Sequence, residues 1–117
     1  MAITSEIIGK LGGADVDSFP VQVTASGSSG SSVLLGTVEV PEDETRLVSV
    51  VGSAAAGDTN VRGLPSFRIG KYMSRREPGN QSVGLAAVVT ETTDVELIRN
   101  SGINSDSFTG HVYTVKM

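Results

Sequence analysis

The chain has 117 residues, no cysteine, and a formal net charge of −4 from 13 acidic and 9 basic side chains. That length fits one domain with a core of its own; the missing cysteines exclude disulfides, thiolate nucleophiles and sulfur-ligated metals, and the few scattered bases lack the footprint that draws a nucleic-acid backbone. Ser, Thr and Gly make up 39 residues and Val, at 16, outnumbers every other apolar type, a balance that favours extended, turn-rich structure over helix.

In chain order, the first segment carries Ile3, Ile7, Ile8 and Leu11 at near-helical spacing, with Thr4 or Ser5 as an N-cap and Gly12-Gly13 as a stop. Gly9 and the β-branched residues weaken a helix, so residues 1–13 read as an arm or short helix, with a strand as the alternative, ahead of a β domain over 14–117. An apolar stripe at a terminus needs cover, from its own sandwich or from a neighbour, which makes Ile3, Ile7, Ile8 and Leu11 candidate interface residues. The start lacks the basic region and long apolar stretch of a secretion signal, and no run is long enough to span a membrane. The expectation is synthesis in the cytoplasm with Met1 retained, and no membrane or nucleic-acid partner.

Beyond Gly13 the pattern changes. Runs rich in β-branched residues recur at "FPVQVT" (19–24), "SVLLGTVEV" (32–40), "RLVSVVGSA" (46–54), "SFRIGKY" (66–72), "SVGLAAVVTE" (82–91), "DVELIR" (94–99) and "SFTGHVYTVK" (107–116). Turn-forming Gly, Pro, Asn, Asp and Ser lie between them, including the loop "GSSGSS" at 27–32. This spacing predicts an all-β fold, an antiparallel β-sandwich of jelly-roll or Ig-like type. Alternation in "SVLLGTVEV" puts Leu34, Val38 and Val40 on one side with Gly36, and Leu35, Thr37 and Glu39 on the other. Pro41 closes that strand, Glu42, Asp43 and Glu44 face water, and "VEVPEDETRLVSVV" reads as a hairpin. In the last run the apolar parity changes from Phe108 and Val112 to Tyr113 and Val115, which calls for a bulge near Gly110 or for cover on both faces. The expected core is Val38, Val40, Val48, Val50, Phe67, Ile69, Leu85, Val95, Leu97, Phe108 and Val112.

Groups able to do chemistry are few and ungrouped. His111, the single histidine, lies within the last run, with no G-x-S-x-G or H-E-x-x-H spacing anywhere to give it catalytic partners. Asp94 and Glu96 share one strand face but have no apolar pocket to raise a pKa, as a glycosidase acid needs. Asn104, Ser105 and Asp106 are turn residues first, although their oxygens suit calcium or a sugar. No catalytic residue, metal site or cofactor is assigned, and the chain reads as a non-enzyme. "GKYMSRREPG" (70–79), with Lys71, Tyr72, Met73, Arg75 and Arg76, has the composition of an interface loop.

The strand ending "VEVPEDETRLVSVV", the central "FRIG", "LAAVVTETTDVELIRNSG" and the closing "DSFTGHVYTVKM" resemble small β-sandwich proteins of tailed-bacteriophage virions, particularly phages of actinobacteria. The resemblance covers about residues 33–117 and rests on V-P before a polar turn and on F-x-G-x-V-Y in the last strand, with "VPEDET" departing from the usual V-P-A-G turn. It implies a minor tail protein or a capsid decoration protein, present in repeated copies as a homo-oligomer, located in the virion among other virion proteins. The alternative is a carbohydrate-binding β-sandwich module that recognises a host-surface glycan. The lack of Trp, with two Tyr and three Phe, counts against that alternative, because such modules stack aromatic rings on sugars.

Overall fold

In the computed structural model, which describes residues 16–57, 64–74 and 81–117, every regular element is a strand. They are β1 (Val16–Ala25), β2 (Ser32–Val38), β3 (Arg46–Ala55), β4 (Ser66–Ile69), β5 (Tyr72–Met73), β6 (Gln81–Val89), β7 (Thr93–Ile98) and β8 (Asp106–Lys116). The arm or helix expected over residues 1–13, with Ile3, Ile7, Ile8 and Leu11, lies outside the described residues, as do Arg75 and Arg76. Each predicted run coincides with a strand, except that "SFRIGKY" bends at Gly70-Lys71 into the β4–β5 hairpin.

The strands form two four-stranded antiparallel sheets, β1-β8-β3-β6 and β2-β7-β4-β5. Apart from β4–β5, each strand is followed by one in the opposite sheet. Two interleaved four-stranded sheets in this order make a jelly roll, which decides between the two sandwich types that the sequence allows.

Alternation supplies the core. Phe67, Ile69, Val95 and Leu97 of one sheet face Val48, Val50, Phe108 and Val112 of the other, all of them buried. The Phe67 and Phe108 rings meet at 4.8 Å and 59°, the tilted geometry that aromatic quadrupoles favour. Val38 and Val40 are also buried, and Leu85 is half-buried against the same cluster.

Three local expectations are corrected. The stretch "VEVPEDETRLVSVV" is not a hairpin: β2 pairs with β7, β3 pairs with β6 and β8, and the turn crosses from one sheet to the other. The Glu44 amide donates to the Pro41 carbonyl at 3.1 Å and Asp43 takes a φ of 65°, so the turn is tight, as a hairpin's would be. What differs is the pairing, which sets Val38 in one sheet and Val48 and Val50 in the other, so that they are buried across the gap between the two. Glu44 is also not free in water, because it pairs with Lys116 at 3.2 Å and Arg46 at 3.6 Å.

The second correction concerns β2. A bulge between Leu34 and Gly36 reverses the parity, so Leu34 is 57% exposed while Val33 and Leu35 pack on the core. A Cβ at Gly36 would lie 2.6 Å from the Phe19 ring, so the glycine lets Phe19 of β1 rest on the β2 backbone. Third, β8 has no bulge, and its ladders to β1 and β3 run without a register shift. Tyr113 and Val115 are half-buried on the outward side. Gly110 instead stands opposite Gly52, and a Cβ on either would come within 2.7–2.8 Å of the Phe108 ring.

Candidate functional site

Each sheet has one outward face, and the two faces differ in charge. On β1-β8-β3-β6 the outward rows run Val16–Val115–Leu47–Val88, Ser18–Tyr113–Ser49–Ala86 and Pro20–His111–Val51–Gly84. The next row is Gln22–Thr109–Ser53. None of these positions is Asp, Glu, Lys or Arg, in a chain of which 19% is charged. Val51 and Val88 are 42% and 47% exposed, and Val16, Leu47, Tyr113 and Val115 are half-buried around them. The His111 ring lies stacked beside Tyr113, with centroids 5.8 Å apart, on the central strand pair of this face.

The outward face of β2-β7-β4-β5 carries the row Leu34–Glu96–Arg68–Met73 and, beside it, Thr37–Asp94. Arg68 donates to Glu96 from Nε at 3.2 Å and from Nη2 at 2.9 Å, and the Thr37 hydroxyl donates to Asp94 at 2.8 Å. Asp94 and Glu96 do share a face, and each is held by a neighbour, Asp94 by Thr37 and Glu96 by Arg68.

At one end the two sheets are joined by a buried ion pair that sequence reasoning missed. Arg99, just after β7, is 1% exposed, and its Nε donates to Asp106, the first residue of β8, at 3.1 Å. Its other nitrogens donate to the carbonyls of Gly27 at 2.5 Å, Ile103 at 3.2 Å and Asn104 at 2.7 Å. Asp106 accepts in addition from the Gly57 amide at 2.9 Å. One guanidinium thus gathers the β1–β2 and β7–β8 loops, and Asp106 adds Gly57, two residues after β3. The Asp106 carboxylate is fully engaged, so the Asn104–Asp106 stretch is a structural clasp. Parity held the only signal: Arg99 continues the inward series Val95, Leu97, and Asp106 precedes Phe108 on the same side.

Lys71, Tyr72 and Met73 form an exposed corner at the β4–β5 hairpin, with the Lys71 ammonium 5.4 Å from the Tyr72 ring centre. Tyr72 borders a cleft of about 390 Å³ whose other walls include Ile69, Val88, Thr90, Glu91 and Thr93. Val88 belongs to both the cleft and the uncharged face, so the two adjoin. Among the described residues no three His, Asp or Glu side chains gather to hold a metal ion.

No protein-family model matches the chain, and no curated protein sequence matches it. Among solved structures it is similar to the CBM36-1 domain of a multidomain xylanase from the hindgut metagenome of Trinervitermes trinervoides. The identity is 13% and the TM-score 0.48, over 84% of this chain and 96% of that one.

Proposed function

We propose that the chain is a non-enzymatic structural protein of a tailed-phage virion, tail-associated or decorating the capsid, and present in repeated copies among other virion proteins. The uncharged outward face of β1-β8-β3-β6 carries this reading. A surface that meets only water has no reason to avoid charge, whereas the centre of a protein interface does, because a desolvated charge without a partner is costly. Interface centres are correspondingly poor in charge and rich in residues such as Tyr, which here stands at position 113 between Ser18 and Ser49. Quantitative mass spectrometry of gradient-purified particles from the encoding phage tests the reading. The chain should appear at a fixed ratio to the major virion proteins, and particles that lack it would remove the proposal.

A second reading, a carbohydrate-binding module for a host-surface glycan, is favoured by one observation. Tyr72 is 44% exposed beside a cleft that Thr90, Glu91 and Thr93 line with oxygens, so a stacking ring stands next to hydrogen-bonding groups. Glycan-array binding that Tyr72→Ala abolishes would support it, and an array without hits would dismiss it.

A further inference from the structure

We infer that the uncharged face of β1-β8-β3-β6 packs against the same face of a second copy of this chain about a two-fold axis. The inference rests on the reading of that face as a protein interface and adds its occupant. Charge selects the partner. If this face met the outward side of the other sheet, head to tail, it would desolvate the Arg68–Glu96 pair and bury Asp94, which accepts from the neutral Thr37 hydroxyl, against a surface with no charge. Two copies of the uncharged face meet without that penalty, and an isologous contact closes as a dimer instead of growing into a fibre.

Size points the same way. Strands of 9 to 11 residues, four abreast, present a flat projection of roughly 34 by 19 Å, on the order of 600 Å². Side-chain relief raises the accessible area above that projection, close to the roughly 800 Å² per partner of a standard interface. A single segment of the chain laid across the face would cover about half of it, since packed elements are about 10 Å wide. Shape agrees too. Ser49, Ala86, Gly84 and Ser53 are small enough to let two sheets approach, while Val51 and Val88 stand proud.

Sedimentation of the full chain over a range of concentrations tests the inference. A dimer that dissociates on dilution is expected. It should be lost in Val51→Lys, and in Ala86→Glu as a second variant should the first fail to fold, and retained in Leu34→Lys on the opposite face. Three results would overturn it: a full chain monomeric at every concentration, a dimer that Leu34→Lys breaks and Val51→Lys spares, or a monomer that dimerises only after Ile7→Asp with Ile8→Asp, which would mean that the chain's own first segment covers the face. The particle measurement is separate from these: a dimer whose chain is absent from virions removes the virion reading alone, and a monomer found in virions removes the dimer alone.

Discussion

The outward side of β2-β7-β4-β5 sets Asp94, Glu96 and Arg68 side by side, Glu96 tied to Arg68 and Asp94 to Thr37, whereas the outward side of β1-β8-β3-β6 fills its rows with Val, Leu, Ser, Thr, Ala, Gly, Pro, Gln, Tyr and His. The inward sides show no such difference: Val95 and Leu97 on one sheet do the same work as Val48 and Val50 on the other. Folding therefore constrains the two sheets alike through their inner faces and leaves the outer faces free. The contrast between those outer faces is what the proposed dimer rests on.

The largest effects should come from the layer that both sheets share. Arg99→Met leaves the Asp106 carboxylate buried without its cation and should cost about 3–5 kcal/mol in chemical denaturation. A loss close to zero would mean that water reaches Asp106 and that the sheets are not joined there. Phe108→Ala should cost a similar amount, about 3–5 kcal/mol, because its ring fills the space between Phe67 and the Gly52–Gly110 pair. An unchanged melting temperature would take Phe108 out of the core.

A smaller loss, about 1–3 kcal/mol, is expected for Gly110→Ala, since its Cβ would press on the Val51 carbonyl and the Phe108 ring. Were the variant as stable as the parent, the close approach of β8 and β3 would be looser than the ladder indicates. The smallest effects separate the two outer faces. Glu96→Gln should change stability by less than about 1 kcal/mol, because the Arg68 pair is solvent-screened. Val51→Lys should likewise stay within about 0.5 kcal/mol for the monomer. Only the second should alter self-association, so a double measurement of unfolding and sedimentation on this pair sharpens the contrast most directly.

Alternation is a local property, and what depends on it alone was legible before any fold was known. The strand-forming runs and the inward set from Val38 to Val112 follow from which side of an extended backbone each residue occupies. Composition marks Lys71, Tyr72 and Met73 as candidate interface residues, and the structure places these three on an exposed hairpin. Pairing is not local. Whether Pro41–Thr45 joins neighbours in one sheet or crosses between two depends on partners far along the chain, and both outcomes need the same alternating flanks and the same turn. Gly36 at the β2 bulge leaves room for the Phe19 ring of β1, and Arg99 is buried because Asp106 and the carbonyls of Gly27, Ile103 and Asn104 converge on it. The uncharged face belongs to this second kind. Val16, Leu47, Val88 and Val115 are each unremarkable in their own strands, and only the order β1-β8-β3-β6 lines them up into one row.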